Sequence, residues 1–253
     1  MDDHPLSRPE SAPPERASEP SRGGVLRAGL AWLWGWTRSI LIAFVLFLIL
    51  RTFVVEAFTI PTASMENTLL VGDFLLVNKA VYGAEIPGTP LHLPAWAEPR
   101  RGDVIVFNPP HDPTKNYVKR VVGIPGDTLQ MRGKILFVNG RAADEPYARY
   151  GARMGDVAHP DMNWQMRYLA PGAPTPYHPT RDNWGPIVVP RDRYFVLGDN
   201  RDNSEDSRYW GFVPRDAIRG RPWFVYFSVG PQGRRDSDWL HAARWGRVGH
   251  PIR

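Results

Sequence analysis

The chain opens with one long apolar run and continues with short apolar runs separated by turn residues. Residues 39–50 form the long run and contain no charge. Twelve helical residues reach only about 18 Å, whereas the hydrocarbon core of a bilayer is ~30 Å thick. A full span therefore needs flanking residues, and Trp32, Trp34 and Trp36 are typical of a lipid–water interface. We predict a transmembrane anchor over residues 29–52.

Two other interpretations of the apolar run stay open. It resembles the core of a cleaved signal peptide, although the basic leader is unusually long for one. It also fits a buried helix of a soluble protein, which the three tryptophans disfavour. Residues 1–28 are rich in Pro, Ser, Glu and Arg without periodicity, so we expect a disordered tail. Arginines before the run outnumber those just after it, and this bias predicts a cytoplasmic N-terminus.

Beyond the anchor, the pattern is that of short β-strands. Apolar runs that end at Gly, Pro, Asn or Asp are typical of antiparallel sheets. They lie at residues 74–77, 103–107, 117–122, 134–138, 187–189, 194–197 and 223–227. We predict a mostly β fold, with an antiparallel, barrel-like domain over 53–230 that carries an insertion at about 141–180. Residues 231–253 are expected to be a tail, either frayed or ending in a short helix at a lipid surface.

Composition excludes several classes of function. Cys is absent, which rules out disulfides, thiol catalysis and cysteine-ligated metals. The net charge is +5, but the arginines form no basic stripe interleaved with aromatics, so we expect no nucleic-acid partner. The histidines match no metal-ligand spacing, and we predict no metal and no cofactor.

The lysines are few, and that limits the possible bases. Of 31 basic residues only four are lysines: Lys79, Lys115, Lys119 and Lys134. A lysine can lose its proton inside a protein, whereas an arginine cannot.

A serine stands on a turn-like segment just after the anchor. Ser64 belongs to the sequence IPTASM, residues 60–65, and is the candidate nucleophile. A serine nucleophile needs a base, and Lys119 lies inside an apolar strand pattern. Burial lowers the pKa of a lysine, so its neutral amine can accept the serine proton. From Lys119 alone, a strand lysine that reaches solvent is the alternative.

A dense polar loop follows a later apolar strand. Residues 198–211 have the sequence GDNRDNSEDSRYWG. Alternating acidic and basic side chains predict internal ion pairs and a rigid loop. The Asp and Asn oxygens also suit calcium, but Arg201 and Arg208 bring positive charge into the cluster and the EF-hand spacing is not met.

Together, these three stretches resemble bacterial type I signal peptidase, peptidase family S26, in order and spacing. The match extends through LLVGD at 69–73 and DNWGP at 182–186, and covers roughly residues 40–227. The resemblance implies a serine endopeptidase that removes N-terminal signal peptides from exported preproteins through an acyl-enzyme. Ser64 would be the nucleophile and Lys119 the general base. The Ser64 N–H and the Thr62 hydroxyl would form the oxyanion hole.

The resemblance also assigns supporting roles. Ser204 would hydrogen-bond and orient Lys119. Asp206 and Arg208 would pair to hold the loop, as would Arg120 and Asp199. The implied fold is a mostly antiparallel β domain whose apolar surface touches the membrane. We expect a monomer anchored once in the bacterial inner membrane, in contact with the lipid bilayer, with its catalytic domain on the periplasmic side.

Three positions depart from the family pattern, and other functions stay open. The family commonly has Ser, Gly and Pro where this chain has Thr62, Ala63 and Asn67. The Thr methyl restricts χ1, and Ala63 is tolerated only if its φ is not positive. The alternatives are a processing peptidase with one dedicated substrate, a self-cleaving repressor-type protease, and a non-catalytic membrane-anchored β module that binds exported chains.

Overall fold

A computed structural model describes residues 22–86, 89, 91, 93–151, 155–230 and 242–252, in two compact units that divide after Leu48. The described part of the first unit is helix α1, Arg22–Ile49, except for the last residue of that helix. The helical span Trp32–Val54, which ends in the π-helical turn Leu50–Val54, is long and apolar enough to cross a membrane by length and composition. At 1.5 Å per residue its 23 residues reach about 34 Å.

The predicted disordered tail is wrong over its last residues, because α1 already begins at Arg22. Arg, Leu and Ala are good helix formers, and a nucleated helix extends at little cost through such residues. Residues 1–21 of that prediction lie outside the described part of the chain.

The second unit is a β domain. In the described residues its strands are β1 (Val55–Thr59), β2 (Asp73–Asn78), β3 (Val104–Phe107), β4 (Tyr117–Gly123), β5 (Thr128–Arg132), β6 (Ile135–Val138), β7 (Arg141–Ala142), β8 (Trp184–Val188), β9 (Arg193–Leu197), β10 (Val213–Pro214) and β11 (Ile218–Ser228). A second helix, α2, is the single turn Ser207–Trp210.

The strands form two antiparallel sheets. The larger has seven strands in the order β1-β2-β11-β3-β4-β9-β10, and the smaller has four in the order β7-β6-β5-β8. The long strand β11 pairs with β2 through one part of its length and with β3 through another, with register shifts in both pairings. Such bulges bend a strand and increase its twist, and the larger sheet curls into a half-barrel. The predicted mostly β, antiparallel fold is confirmed.

Strands β1 and β5 were not predicted, because neither has the required apolar run. β1 has the sequence VEAFT and follows directly on the helical segment. β5 has the sequence TLQMR, and only its Leu129 and Met131 are buried. In a strand that buries only one face, only every second residue needs to be apolar. In a strand of about five residues this alternation is too short to give a clear sequence pattern.

The residues predicted as an insertion contribute to the core. They contain β7 and a 3-10 helix, Pro160–Tyr168. Met162 from this helix is fully buried beside Leu129, Trp184 and Phe195 of the strands. The Gln165 side chain donates to the Arg208 carbonyl at 3.1 Å. The segment is therefore packed against the β domain.

The alternative of a frayed tail at the C-terminal side is wrong for residues 242–252, whereas the possible short helix stays a prediction. These residues run along β11, with backbone hydrogen bonds between Val225 and His250 and between Ile252 and Trp223, and they include the 3-10 turn Trp245–Arg247. The cause is a buried carboxylate. Asp73 is fully buried and accepts hydrogen bonds from Arg247. A buried charge needs such partners, and it holds the segment in place. Residues 231–241 lie outside the described residues.

Candidate active site

Ser64 lies on a 3-10 turn, Ala63–Met65, that follows the edge strand β1. Ile60 and Met65, on either side of the serine, are buried in a core cluster with Leu69, Leu75 and Val225. Apolar anchors on both sides leave the turn little freedom. Ala63 is not among the residues with positive φ, so its Cβ costs no backbone strain.

Lys119 meets the candidate nucleophile directly. Its Nζ lies 2.6 Å from Ser64 Oγ. The lysine belongs to β4, and its side chain is only 4% exposed. The Thr62 hydroxyl oxygen lies 3.4 Å from the same Ser64 Oγ. The structure thus brings together the three side chains that the sequence singled out for the chemistry.

Burial lowers the pKa of Lys119 from 10.5 to about 8. The charged form is disfavoured because the amine has left water. The negative charges of Asp206 and Glu205 partly oppose this effect and raise the pKa. The balance leaves an amine that is substantially neutral at mildly alkaline pH, which is the state that a general base requires.

Two buried ion pairs hold the polar loop in place. Arg208 donates two hydrogen bonds to the Asp206 carboxylate, at 2.8 and 2.9 Å. Arg120 donates two to Asp199, at 2.8 and 2.7 Å. Burial alone would raise the pKa of Asp206, but the charge and hydrogen bonds of Arg208 keep it below its usual value. Bidentate pairs of this kind fix orientation as well as charge.

Ser204 does not make the expected hydrogen bond to Lys119. Its Oγ is buried and has no hydrogen-bond partner among the described residues by distance and angle. The hydroxyl instead packs against the Cα of Gly198, at a site where a Cβ on residue 198 would collide with it. It is close enough to Asp206 to contribute to the lowered pKa of that carboxylate.

Several contacts that support the Ser64 turn were not predicted. Asn200 donates its backbone N–H to the Ser64 carbonyl at 3.0 Å and its side-chain amide to the Ala63 carbonyl at 3.2 Å. The Arg120 guanidinium lies 3.9 Å from the centre of the Tyr147 ring. Asn200 lies in the polar loop, and the high content of Asp and Asn in that loop was the one sequence feature that pointed to such contacts. Tyr147 lies in a segment without periodicity, where no signal existed.

Asn67 explains one departure from the family pattern. Its φ is 101°, a value that the ring of a proline forbids. Its side-chain amide donates to the Tyr147 carbonyl at 3.1 Å. The backbone at this position therefore excludes proline, and the asparagine ties the turn after Ser64 to the segment that contains Tyr147.

The dyad opens into a cleft of about 470 Å³. Its lining residues are Phe58, Thr59, Ile60, Pro61, Thr62, Ser64, Met65, Lys115, Asn116, Tyr117, Val118, Lys119, Asn203 and Glu205. β1 is an edge strand, and β4 pairs with β9 only from Arg120 onward. Strand edges with free backbone groups can bind an extended peptide as an added strand. Within the described residues, no group of three or more His, Asp or Glu side chains could hold a metal ion.

Comparison with known proteins places these features in a family. The family model "Signal peptidase, peptidase S26" matches residues 33–227. Signal peptidase I of Pseudomonas fluorescens is 40% identical over 203 residues, which cover 72% of this chain and 68% of that protein. Signal peptidase I of Aquifex aeolicus is 36% identical over 214 residues, covering 72% and 79%. A crystal structure of a signal peptidase I from Enterococcus faecalis matches at 30% identity over 49% of this chain and 97% of that one, with a TM-score of 0.34.

Proposed function

We propose that Ser64 and Lys119 form the catalytic dyad of this chain, which belongs to the signal peptidase family, peptidase S26. As a member of that family the chain is a serine endopeptidase that removes signal peptides from preproteins. The observation that carries the assignment of residues is the 2.6 Å approach of Lys119 Nζ to Ser64 Oγ in a buried site.

The neutral amine of Lys119 takes the Ser64 hydroxyl proton as Ser64 Oγ attacks the scissile carbonyl. The resulting oxyanion accepts hydrogen bonds from the Ser64 N–H and the Thr62 hydroxyl. When the tetrahedral intermediate collapses, the Lys119 ammonium donates its proton to the departing amine, and an acyl-enzyme remains. Water then attacks the ester with Lys119 again as the base, which restores the serine.

The supporting residues act by position. The Asp206–Arg208 and Arg120–Asp199 pairs keep the loop after Gly198 rigid beside the dyad, and Asn200 of that loop holds the Ser64 carbonyl. For Ser204, we propose that its hydroxyl turns to the Lys119 amine when substrate binds. What supports this role is that the hydroxyl is buried and, beyond its weak interaction with Asp206, makes no well-formed hydrogen bond to the described residues.

We also propose a placement in the cell. The family is membrane-anchored, and the apolar span of α1 is the corresponding segment here. Arg22, Arg27 and Arg38 precede the span centre, against Arg51 close behind it, so the N-terminus lies in the cytoplasm. The β domain over about 53–230 then lies on the periplasmic side of the inner membrane, against the lipid bilayer. The protein acts as a monomer, because one chain supplies every proposed catalytic group.

The test is cleavage of a preprotein with an Ala-x-Ala site by the full-length protein in detergent. Ser64→Ala and Lys119→Arg are each expected to reduce kcat/KM by about 10⁴-fold or more, because the first lacks the nucleophile and the second cannot become a neutral base. Thr62→Val is expected to lose about 10²-fold, and Thr62→Ser to keep most activity.

Lys79→Arg is the matched control. Lys79 is paired with Glu56 at 3.6 Å and does not line the cleft, so this variant should cleave like the parent. Full activity in Lys119→Arg would exclude a lysine base.

A further inference from the structure

The catalytic cleft is apolar in one part and charged in another. Phe58, Ile60, Met65 and Val118 supply the apolar lining. The charged part contains Lys115 and Glu205, with the amides of Asn116 and Asn203 beside them. The proposed mechanism uses none of these four polar residues.

Lys115, the lysine of this charged part, is paired with a carboxylate. Lys115 Nζ lies 2.8 Å from the Asp112 carboxylate. The hydrogen bond from Lys115 comes first among the causes that lower the pKa of Asp112 to about 2, so the acid is ionised in neutral solution. The two charges of this pair largely cancel for a substrate in the cleft.

Glu205 is left without a permanent countercharge. Its side chain is 67% exposed, and the one ion-pair partner that the described residues offer is His111, whose Nε2 is 4.0 Å from the carboxylate. An imidazole balances a carboxylate only when it is protonated. When the Lys119 amine is neutral, as the proposed mechanism requires, the cleft therefore carries negative charge at Glu205.

The charge of Glu205 interacts electrostatically with groups of the catalytic cleft. It raises the pKa of Lys119 and of Tyr117, both of which line the cleft. An extended peptide advances about 3.3 Å per residue, and exposed charges act over about 8–10 Å at moderate salt. Because Glu205 and Ser64 line the same cleft, substrate side chains within about three residues of the scissile bond are the ones that this charge can reach.

We infer that Glu205 is a specificity-determining residue, which favours a basic and disfavours an acidic substrate side chain within three residues of the scissile bond. The inference rests on the proposed cleavage of preproteins in this cleft. The ligand class is an extended peptide with a charged side chain at one of the positions beside the scissile bond.

The experiment compares peptides that differ only in charge. Lys, Gln or Asp is placed in turn at the second position before the cut and at the first three after it. For the parent we expect a Lys-to-Asp ratio in kcat/KM of about two- to five-fold at one of these positions. The ratio should approach one in Glu205→Gln, invert in Glu205→Lys, and shrink at high salt.

Ratios remove the main confounding effect. Loss of the Glu205 charge also changes the pKa of Lys119, but that change alters the rate for every peptide equally and cancels in the ratio. Glu98→Gln is the matched control, because Glu98 is similarly exposed at 64% and lines a different cavity. It should keep the parental ratio. The same ratio in the parent, Glu205→Gln and Glu205→Lys would overturn the inference, as would an equal change in Glu98→Gln.

Binding separates this inference from the catalytic proposal. The same peptides are titrated against Ser64→Ala by fluorescence anisotropy, where no cleavage is required. A Lys-to-Asp affinity ratio that disappears on adding Glu205→Gln supports the charge selection even if the assignment of the dyad fails. Equal affinities in both backgrounds contradict charge selection in binding even if the dyad is correct.

Discussion

Lys119 on β4 and Arg208 in the polar loop are both buried cations, yet they have opposite surroundings. Arg208 is 1% exposed and faces the Asp206 carboxylate in a bidentate pair. Lys119 is 4% exposed and faces the Ser64 hydroxyl. Burial lowers the pKa of the lysine to about 8. Burial also acts to lower the pKa of Arg208, but the charge and the hydrogen bonds of Asp206 together outweigh it and raise that pKa.

This difference distinguishes a buried cation that stabilises the structure from a buried amine that can act as a base. A buried cation with a carboxylate partner stays charged and holds two segments together. A buried amine without one loses much of its preference for the proton and becomes a base. The charge of Asp206 does reach Lys119, but Arg208 takes both of its oxygens.

The largest contrast should appear in stability. Arg208→Met leaves the Asp206 carboxylate buried without its partner and should cost about 3–5 kcal/mol. Lys119→Met should instead stabilise the fold by about 1–3 kcal/mol at pH 7, since the lysine pKa falls from 10.5 to about 8 on folding. The measurement is denaturant unfolding of the detergent-solubilised protein.

The pH dependence gives the sign of the lysine effect. Folding releases a proton from Lys119, so the stabilisation in Lys119→Met should be absent above pH 10.5, grow as the pH falls to about 8, and stay constant below. A stabilisation that does not vary between pH 7 and 10.5 would mean that the pKa of Lys119 is not lowered in the folded state.

Activity should follow the same ionisation. Because only the neutral amine is a base, kcat/KM is expected to fall about tenfold per pH unit below about pH 8. Peptides without ionisable groups near the cut keep substrate titration out of the profile. A rate that is flat down to pH 5 would mean that protonation of Lys119 does not limit catalysis, and Lys119 would then not be the general base.

The smallest effect should come from Glu205. Its charge raises the pKa of Lys119 from an exposed position, so Glu205→Gln should move the acid limb of the profile to lower pH. Solvent screens exposed charges strongly, and the shift should therefore shrink in high salt. Glu98→Gln should leave the limb in place, and an equal shift in both variants would assign the effect to overall charge.

Local patterns made Ser64 and Lys119 candidates, and the resemblance to the family predicted that they would pair. Ser64 lies on a turn just after an apolar span, and Lys119 is the lysine of an apolar strand. The ion pairs within the polar loop could also be predicted from the sequence, because acidic and basic residues alternate there. The antiparallel fold follows from repeated short runs and turn residues.

The remaining features depend on contacts between distant parts of the chain. Nothing near Asp73 indicates that Arg247 will bind it, and nothing near Tyr147 indicates that its ring will cover Arg120. The orientation of Ser204 depends on the local packing against Gly198, which motif spacing does not encode. β5 was missed because its alternation of buried and exposed residues is too short to stand out.

The contacts of Arg247 also bear on the order in which the protein folds. Its guanidinium bonds the Thr68 carbonyl across 179 positions of sequence, and Ile252 packs in the same cluster as Ile60 and Met65. Closing a loop of that length costs entropy before any contact repays it. We expect the turn that carries Ser64 to become rigid only after this distant segment has been synthesised and docked. A nascent chain would then expose its serine in a loose turn, and proteolytic competence would be among the last properties that the folding domain acquires.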